Sequence, residues 1–179
     1  MVTACVVFVS YKKNSLIIAT DGSAKMRRSA FGYCIARQDG KILLRAHSPV
    51  LVDPKYHFSD RAELLAILEA TSHIGLLEKM FPLRLQTRHS IQLHTDSESS
   101  LIRIEDESSN STKTVFNSNL DVLFEIKKVC ANLKAKINFF HVDSHQDEDC
   151  PVEDLPLPPR LNTIADSLAS KEYEYLPPS

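Results

Sequence analysis

Four acidic residues in this chain sit where a carboxylate can do chemistry. Asp21 closes the apolar run Leu16-Ile17-Ile18-Ala19-Thr20 and is followed by Gly22-Ser23. Asp96 closes a second run, Ser90-Ile91-Gln92-Leu93-His94-Thr95, while Glu63 and Asp166 fall inside stretches with helical apolar spacing. A charge beside packed side chains needs a partner. Hard divalent cations such as Mg²⁺ or Mn²⁺ prefer oxygen ligands, so several Asp and Glu side chains are the equipment for holding them. Two such ions about 4 Å apart can make a water nucleophilic at neutral pH and stabilise a departing oxygen, which is what phosphodiester hydrolysis requires. The expectation is that Asp21, Glu63, Asp96 and Asp166 converge on two Mg²⁺ or Mn²⁺ ions.

Each residue alone has a plainer reading. Asp21 before a glycine suits a turn. Glu63, three residues after Asp60, suits a capping box. Asp96-Ser97 suits the start of a helix. Asp166, beside Ala165 and Leu168, is the hardest to explain away, because it falls near an apolar side.

The elements that must carry these residues follow from the pattern. Leu16–Thr20, Ala30–Ala36 and Lys41–His47 read as strands, the last two joined by the hairpin signal Asp39-Gly40. Ala24–Ser29 reads as a polar, basic connection. A helix starts at Ser59-Asp60 and runs to about Leu77, with Glu63, Ile67 and Ala70 on one face. Phe81–His89 is a basic link, Ser90–Thr95 a strand, and Ser99–Glu107 a short helix. Ser108–Ser118 has loop composition. Asn119 is placed to cap a helix over Leu120–Leu133, with Leu120, Leu123, Phe124, Lys127 and Cys130 along one side. Lys136–Val142 is the last strand, Asp143–Pro159 an acidic, proline-rich loop, and Leu161 to about Glu172 the final helix. Hairpins followed by strands separated by helices imply an α/β fold, a mixed sheet that is antiparallel first and then parallel. Asp21 and Asp96 then sit at strand ends, where such sheets form their sites.

The 179 residues are the size of one domain, taken as 1–179, with Val2–Val9 as an additional strand and 174–179 as a tail. Composition is ordinary for a globular chain, 43% apolar and 25% charged. No apolar run reaches the roughly 18–20 residues that would span a bilayer, and the N-terminus lacks the pattern of a signal peptide. Cys5, Cys34, Cys130 and Cys150 are scattered, with no C-x-x-C pair. A reducing, intracellular setting (cytoplasm or nucleus) and a monomer are expected. The net charge of −2 does not advertise a nucleic-acid partner, but four carboxylates carry much of it locally and bound cations would reverse it.

These residues also carry a family resemblance. Thr20-Asp21-Gly22-Ser23, Arg61-Ala62-Glu63-Leu64, His94-Thr95-Asp96-Ser97 and Asn162-Thr163-Ile164-Ala165-Asp166 resemble, in order, the four motifs of ribonuclease H domains. His141-Val142-Asp143-Ser144-His145 resembles the segment that carries a mobile histidine in that family. Asp21-Gly22-Ser23-Ala24, Phe31-Gly32-Tyr33 and His145-Gln146-Asp147 with Leu161-Asn162 are closest to the ribonuclease H regions of eukaryotic retroelement polyproteins. The resemblance covers nearly the whole chain. It implies the ribonuclease H-like fold with a mixed five-stranded sheet flanked by helices. It implies cleavage of the RNA strand of an RNA–DNA hybrid, with Asp21, Glu63, Asp96 and Asp166 as metal ligands and His145 assisting proton transfer or product release. A reverse transcriptase domain in the same polyprotein is the implied partner beside the hybrid.

Lys25, Arg27 and Arg28 follow the first motif at a spacing suited to phosphate contact. Gly22, Ser23, Ser97 and Asn162 lie inside the motifs and are expected at the substrate or behind a metal ligand. Two features depart from the family pattern. The interval from His145 to Asp166 is long and acidic, and the region after Asp96 lacks a densely basic helix and loop. Rival readings are a catalytically silent scaffold of the same fold, which the complete set of four carboxylates argues against, and a DNA nuclease or integrase, which usually presents a different acidic pattern. A zinc cluster of His141, Asp143 and His145 has no cysteine to support it.

Overall fold

The computed structural model describes residues 16–25, 28–53, 58–80, 90–106, 119–148 and 150–171. The strand expected over Val2–Val9, Arg27, the link 81–89, the loop 108–118 and the tail 174–179 lie outside the described residues.

Five strands form one mixed sheet: β1 (Leu16–Lys25), β2 (Arg28–Arg37), β3 (Ile42–Pro49), β4 (Ser90–Thr95) and β5 (Lys136–His141), in the order β3-β2-β1-β4-β5. β1 pairs antiparallel with β2 and parallel with β4, and β4 pairs parallel with β5, as the expected fold class requires. The helices are α1 (Ser59–Met80), α2 (Glu98–Glu105), α3 (Leu120–Asn132) and α4 (Leu157–Lys171).

The pleat of β1 divides the core. Leu16 and Ile18 point to one face and pack with Leu64, Ile67, Leu93, Leu123 and Ile126 under α1 and α3. Ile17 and Ala19 point to the other and pack with Cys34, Leu161 and Ala165 under α4. Strand periodicity therefore puts Asp21 on the α4 face and Gly22 on the α1 face. Fully buried Ile18, Leu64, Ile67 and Leu93 each contribute about 1.5–3 kcal/mol of burial.

Several boundaries differ from the sequence reading. β1 does not end at Thr20. It continues through Asp21 and Gly22, which pair with Gly32 and Phe31, to Lys25 opposite Arg28. Ser23 is only half-buried and Ala24 and Lys25 are exposed, so this end of the strand is held by ladder pairing with β2, which hydropathy does not register. Gly22 is consequently not a turn residue. The turn signal at Asp39-Gly40 does hold: Gly40 has φ 84, and its N–H donates to the Arg37 carbonyl at 3.0 Å.

α1 begins at Ser59, so Asp60 lies inside its first turn rather than at the cap. α4 begins four residues earlier than expected, at Leu157, because Pro158 and Pro159 occupy its first turn, where no intrahelical N–H is needed. The acidic connection before it contains two 3-10 turns, Gln146–Glu148 and Val152–Asp154. In α3 the buried face is Val122, Leu123 and Ile126, and Phe124 is exposed. Asn119 has a left-handed backbone (φ 83) and caps nothing with its side chain.

Gly32 is where α4 meets the sheet. A Cβ there would lie 2.4 Å from the Ala165 carbonyl oxygen and 2.7 Å from the Ala169 nitrogen. Gly32→Ala should push α4 off β2 and cost about 1–3 kcal/mol, the range for overpacking a close contact. Urea denaturation of the variant beside the wild type measures it.

Candidate active site: an acidic cleft at the strand ends

The sheet delivers two of the four expected carboxylates directly. Thr20 and Thr95 are partners in the parallel β1–β4 register, so Asp21, within β1, and Asp96, just past the end of β4, stand side by side one residue further on. Glu63 arrives from α1 on the opposite face. Its approach depends on Gly22: a Cβ at that position would lie 2.2 Å from the Glu63 nitrogen and 2.4 Å from the Ala62 carbonyl carbon. The missing side chain lets the first turn of α1 sit against the strand, and Glu63 reaches Asp21. Oxygens of Asp21, Glu63 and Asp96 all lie within 4.8 Å of one another. Asp166 stands outside that tight group but lines the same cleft from α4, together with His145.

Burial and like charge govern the electrostatics. Asp21 is 6% exposed and Glu63 7%. Burial pushes the Asp21 carboxyl up to about 8, with Asp96 and Asp166 adding repulsion. Burial likewise raises Glu63, with Asp21 and Asp96 next, against a hydrogen bond from the Gly22 backbone. Asp166 is raised by burial, opposed by His145 and by the Ser170 hydroxyl. Glu63 Oε2 is buried without a hydrogen-bond partner. A divalent cation among these oxygens would reverse the repulsion and satisfy the orphaned oxygen, so the donor set fits a hard metal ion.

The cleft has a volume of ≈ 430 Å³, and its other walls are polar. Gly22, Ser23, Ser97 and Asn162 line it, as the sequence motifs implied. Asn162 is 4% exposed, and its Oδ1 has no partner. Ser97 donates to Ser100 Oγ at 2.8 Å. His145 has a left-handed backbone, φ 54, and an exposed ring 3.8 Å from Glu148 Oε1.

Lys25 and Arg28 do not line the cleft. The β1–β2 ribbon carries Lys25 four residues beyond Asp21, roughly 13 Å along the strand. Asp60, Asp143, Asp147 and Thr163 line it without having been expected there. For Asp147 the signal was the acidic run itself, Asp143 and Thr163 lay inside quoted motif segments without being singled out, and Asp60 lay three residues before Glu63. His141 is drawn away from any zinc cluster: its Nε2 lies 3.1 Å from the Asp96 carbonyl oxygen. The acidic trio is the one metal-competent group among the described residues.

Fold and cleft together define an α/β protein with a cation-receptive acidic site at its parallel strand ends. The RNase H family model matches residues 13–174, and the chain belongs to that family. No curated protein sequence is significantly similar. Among solved structures, the N-terminal RNase H domain of rv2228c from Mycobacterium tuberculosis matches 91% of this chain and 96% of its own, with TM-score 0.62 and 14% identity. LC11-RNase H1 in complex with an RNA/DNA hybrid, an enzyme isolated from compost by a metagenomic approach, matches 90% of this chain and 98% of its own, with TM-score 0.62 and 18% identity. A foamy viral protease-reverse transcriptase in complex with RNA/DNA hybrid matches 93% of this chain over 21% of its own, with TM-score 0.61 and 17% identity. No helix among the described residues is long and apolar enough to cross a membrane.

The raised carboxyls set a pH dependence. Asp21 ionises near 3.8 in the unfolded chain and near 8 in the folded one. Between those values the folded state holds the extra proton, so stability is highest at the acid end and declines as pH rises toward 8. In chelator, urea denaturation should give lower stability at pH 8 than at pH 5. Asp21→Asn should flatten that slope, and Mg²⁺ or Mn²⁺ should restore the wild type most at the alkaline end.

Proposed function

We propose that this chain is a metal-dependent endoribonuclease that hydrolyses the RNA strand of RNA–DNA hybrids. The observation that carries the reading is the convergence of Asp21, Glu63 and Asp96 within 4.8 Å, in a cleft also lined by Asp166 and His145. Membership of the RNase H family and similarity to a hybrid-bound enzyme support it.

Asp21, Glu63 and Asp96 would hold the cations, with Asp166 at the outer edge of the set. Two Mg²⁺ or Mn²⁺ ions, when bound there, would supply an activated water and charge stabilisation of the departing 3′-oxygen. The protein's own part is positional. Gly22 admits the first turn of α1, the parallel register aligns Asp21 with Asp96, and α4 sets Asp166 opposite them. His145 stands on an exposed turn at the rim, free to carry a proton to the leaving oxygen or to help product depart. Ser23, Ser97 and Asn162 offer neutral donors and acceptors to the sugar-phosphate. Similarity to the foamy viral protease-reverse transcriptase supports a retroelement polyprotein, with a reverse transcriptase domain as partner.

A catalytically silent scaffold would be expected to lack a member of this set, and none is missing. Asp21→Asn should leave the fold intact and abolish metal-dependent cutting. The assay uses labelled RNA–DNA hybrid with Mg²⁺, with Mn²⁺ and with chelator, beside single-stranded RNA, duplex RNA and duplex DNA. Cutting of hybrid at a near wild-type rate by folded Asp21→Asn protein would sink the assignment.

A further inference from the structure

The N-terminal end of α1, from Ser59 to Glu63, is fastened from three directions. β1 presses on it at Gly22. Asp60 pairs with Arg103, in the last turn of α2, at 3.5 Å. Arg61 reaches the opposite way: its Nη1 donates to Asn119 Oδ1 at 3.0 Å and to Asp121 Oδ1 at 3.1 Å, and its Nη2 donates to Asp121 Oδ2 at 2.6 Å. The paired, planar geometry with Asp121 is available to a guanidinium and not to an ammonium. Arg61 is 16% exposed and Asp121 64%, so the guanidinium is the sheltered partner and the carboxylate the accessible one.

We propose that Arg61 is a positioning residue for the metal site, acting through Asn119 and Asp121 to set where Glu63 stands relative to Asp21. This rests on the reading of the acidic cleft as a cation site. The reasoning is mechanical. Three carboxylates at this spacing repel one another, and the Glu63 backbone is the only one of the three that sits on a helix able to recede from the sheet. Gly22 offers no side chain to hold the helix; it only leaves room for it. The apolar seam of Leu64 and Ile67 seats α1 on the sheet, and a second hold on the end that carries Glu63 comes from outside the cluster, through α3. The left-handed backbone at Asn119 turns that side chain onto Arg61 instead of onto the helix it precedes. Loss of a group bonded directly to a metal ligand costs about 10–100-fold in affinity; Arg61 acts one step further back, through the helix that carries Glu63, which sets the expectation at the low end of that range.

The test is a titration of Mg²⁺ and of Mn²⁺ read by thermal shift, with hybrid cleavage as a second readout. Arg61→Met keeps the apolar stem and removes the fork. It should raise the metal concentration at half-effect about tenfold. The cleavage rate at saturating metal should be largely recovered. Arg61→Lys should fall between Arg61→Met and the wild type, and Asp121→Asn should move the midpoint the same way by less. The double variant should add little to Arg61→Met alone, since both act through one interaction. If Arg61→Met fails to fold, Asp121→Asn and Arg61→Lys decide. A wild type that shows no metal-induced shift overturns the cation site, and this inference with it. A clear wild-type shift with unchanged midpoints in the folded variants, whatever their melting temperatures, overturns the role of Arg61 and leaves the cation site standing.

Discussion

Three carboxyl groups held within 4.8 Å of one another, two of them almost wholly buried, repel each other and forgo most of their hydration. Left to local preference they would separate. The surrounding structure keeps them together by placing each on a different rigid element and closing those elements by packing that has nothing to do with charge. The parallel register fixes Asp21 beside Asp96. The apolar seam of α1 against β1, with Leu64 and Ile67 fully buried, drives Glu63 toward them. Electrostatic cost at the site is thus offset by hydrophobic burial immediately beneath it, and a bound cation would satisfy the orphaned Glu63 Oε2.

Glycine serves this closure in two places and on two faces. At Gly22 the absent Cβ leaves room for the start of α1; at Gly32, directly across the β1–β2 ladder from Asp21, it leaves room for α4. The two helices clasp the same point of the sheet from opposite sides. That is why Asp166 lines the cleft from α4 although it belongs to a different layer from Glu63. The same clasp explains the early start of α4: Pro158 and Pro159 extend the helix by a turn, and Arg160 and Leu157 come against the β2–β3 hairpin at Gly40.

The cleft is unusual in its charge balance. Asp60, Asp143 and Asp147 join the four expected carboxylates along its walls, and no lysine or arginine lines it among the described residues. On the proposed reading, an RNA–DNA hybrid approaching such a surface would meet net negative charge until cations are bound. Metal ions would therefore act on substrate attraction as well as on chemistry. Lys25, at the end of its ribbon, stands outside the cleft.

The candidate acidic residues were legible in the sequence because their recognition depends on residue type and order. Asp21 after an apolar run, Glu63 on an amphipathic helix, Asp96 after a second run and Asp166 on a third element need no coordinates to be recognised. The antiparallel start, the parallel crossovers and the hairpin at Asp39-Gly40 likewise followed from periodicity and turn chemistry, whereas the spatial order β3-β2-β1-β4-β5 came only with the structure. What the tertiary structure decided was everything set by pairing across distance. The extension of β1 through Gly22 to Lys25 depends on ladder partners in β2, which hydropathy along one strand does not reveal. The function of Gly22 as a point of approach rather than a turn depends on where α1 lies. The side chain of Asn119, read as a cap, belongs to Arg61 58 residues earlier in the chain. Local sequence encodes which groups are present and how each element repeats; the distances among Asp21, Glu63 and Asp96 arise only when separate elements pack, since no short segment contains more than one of the three.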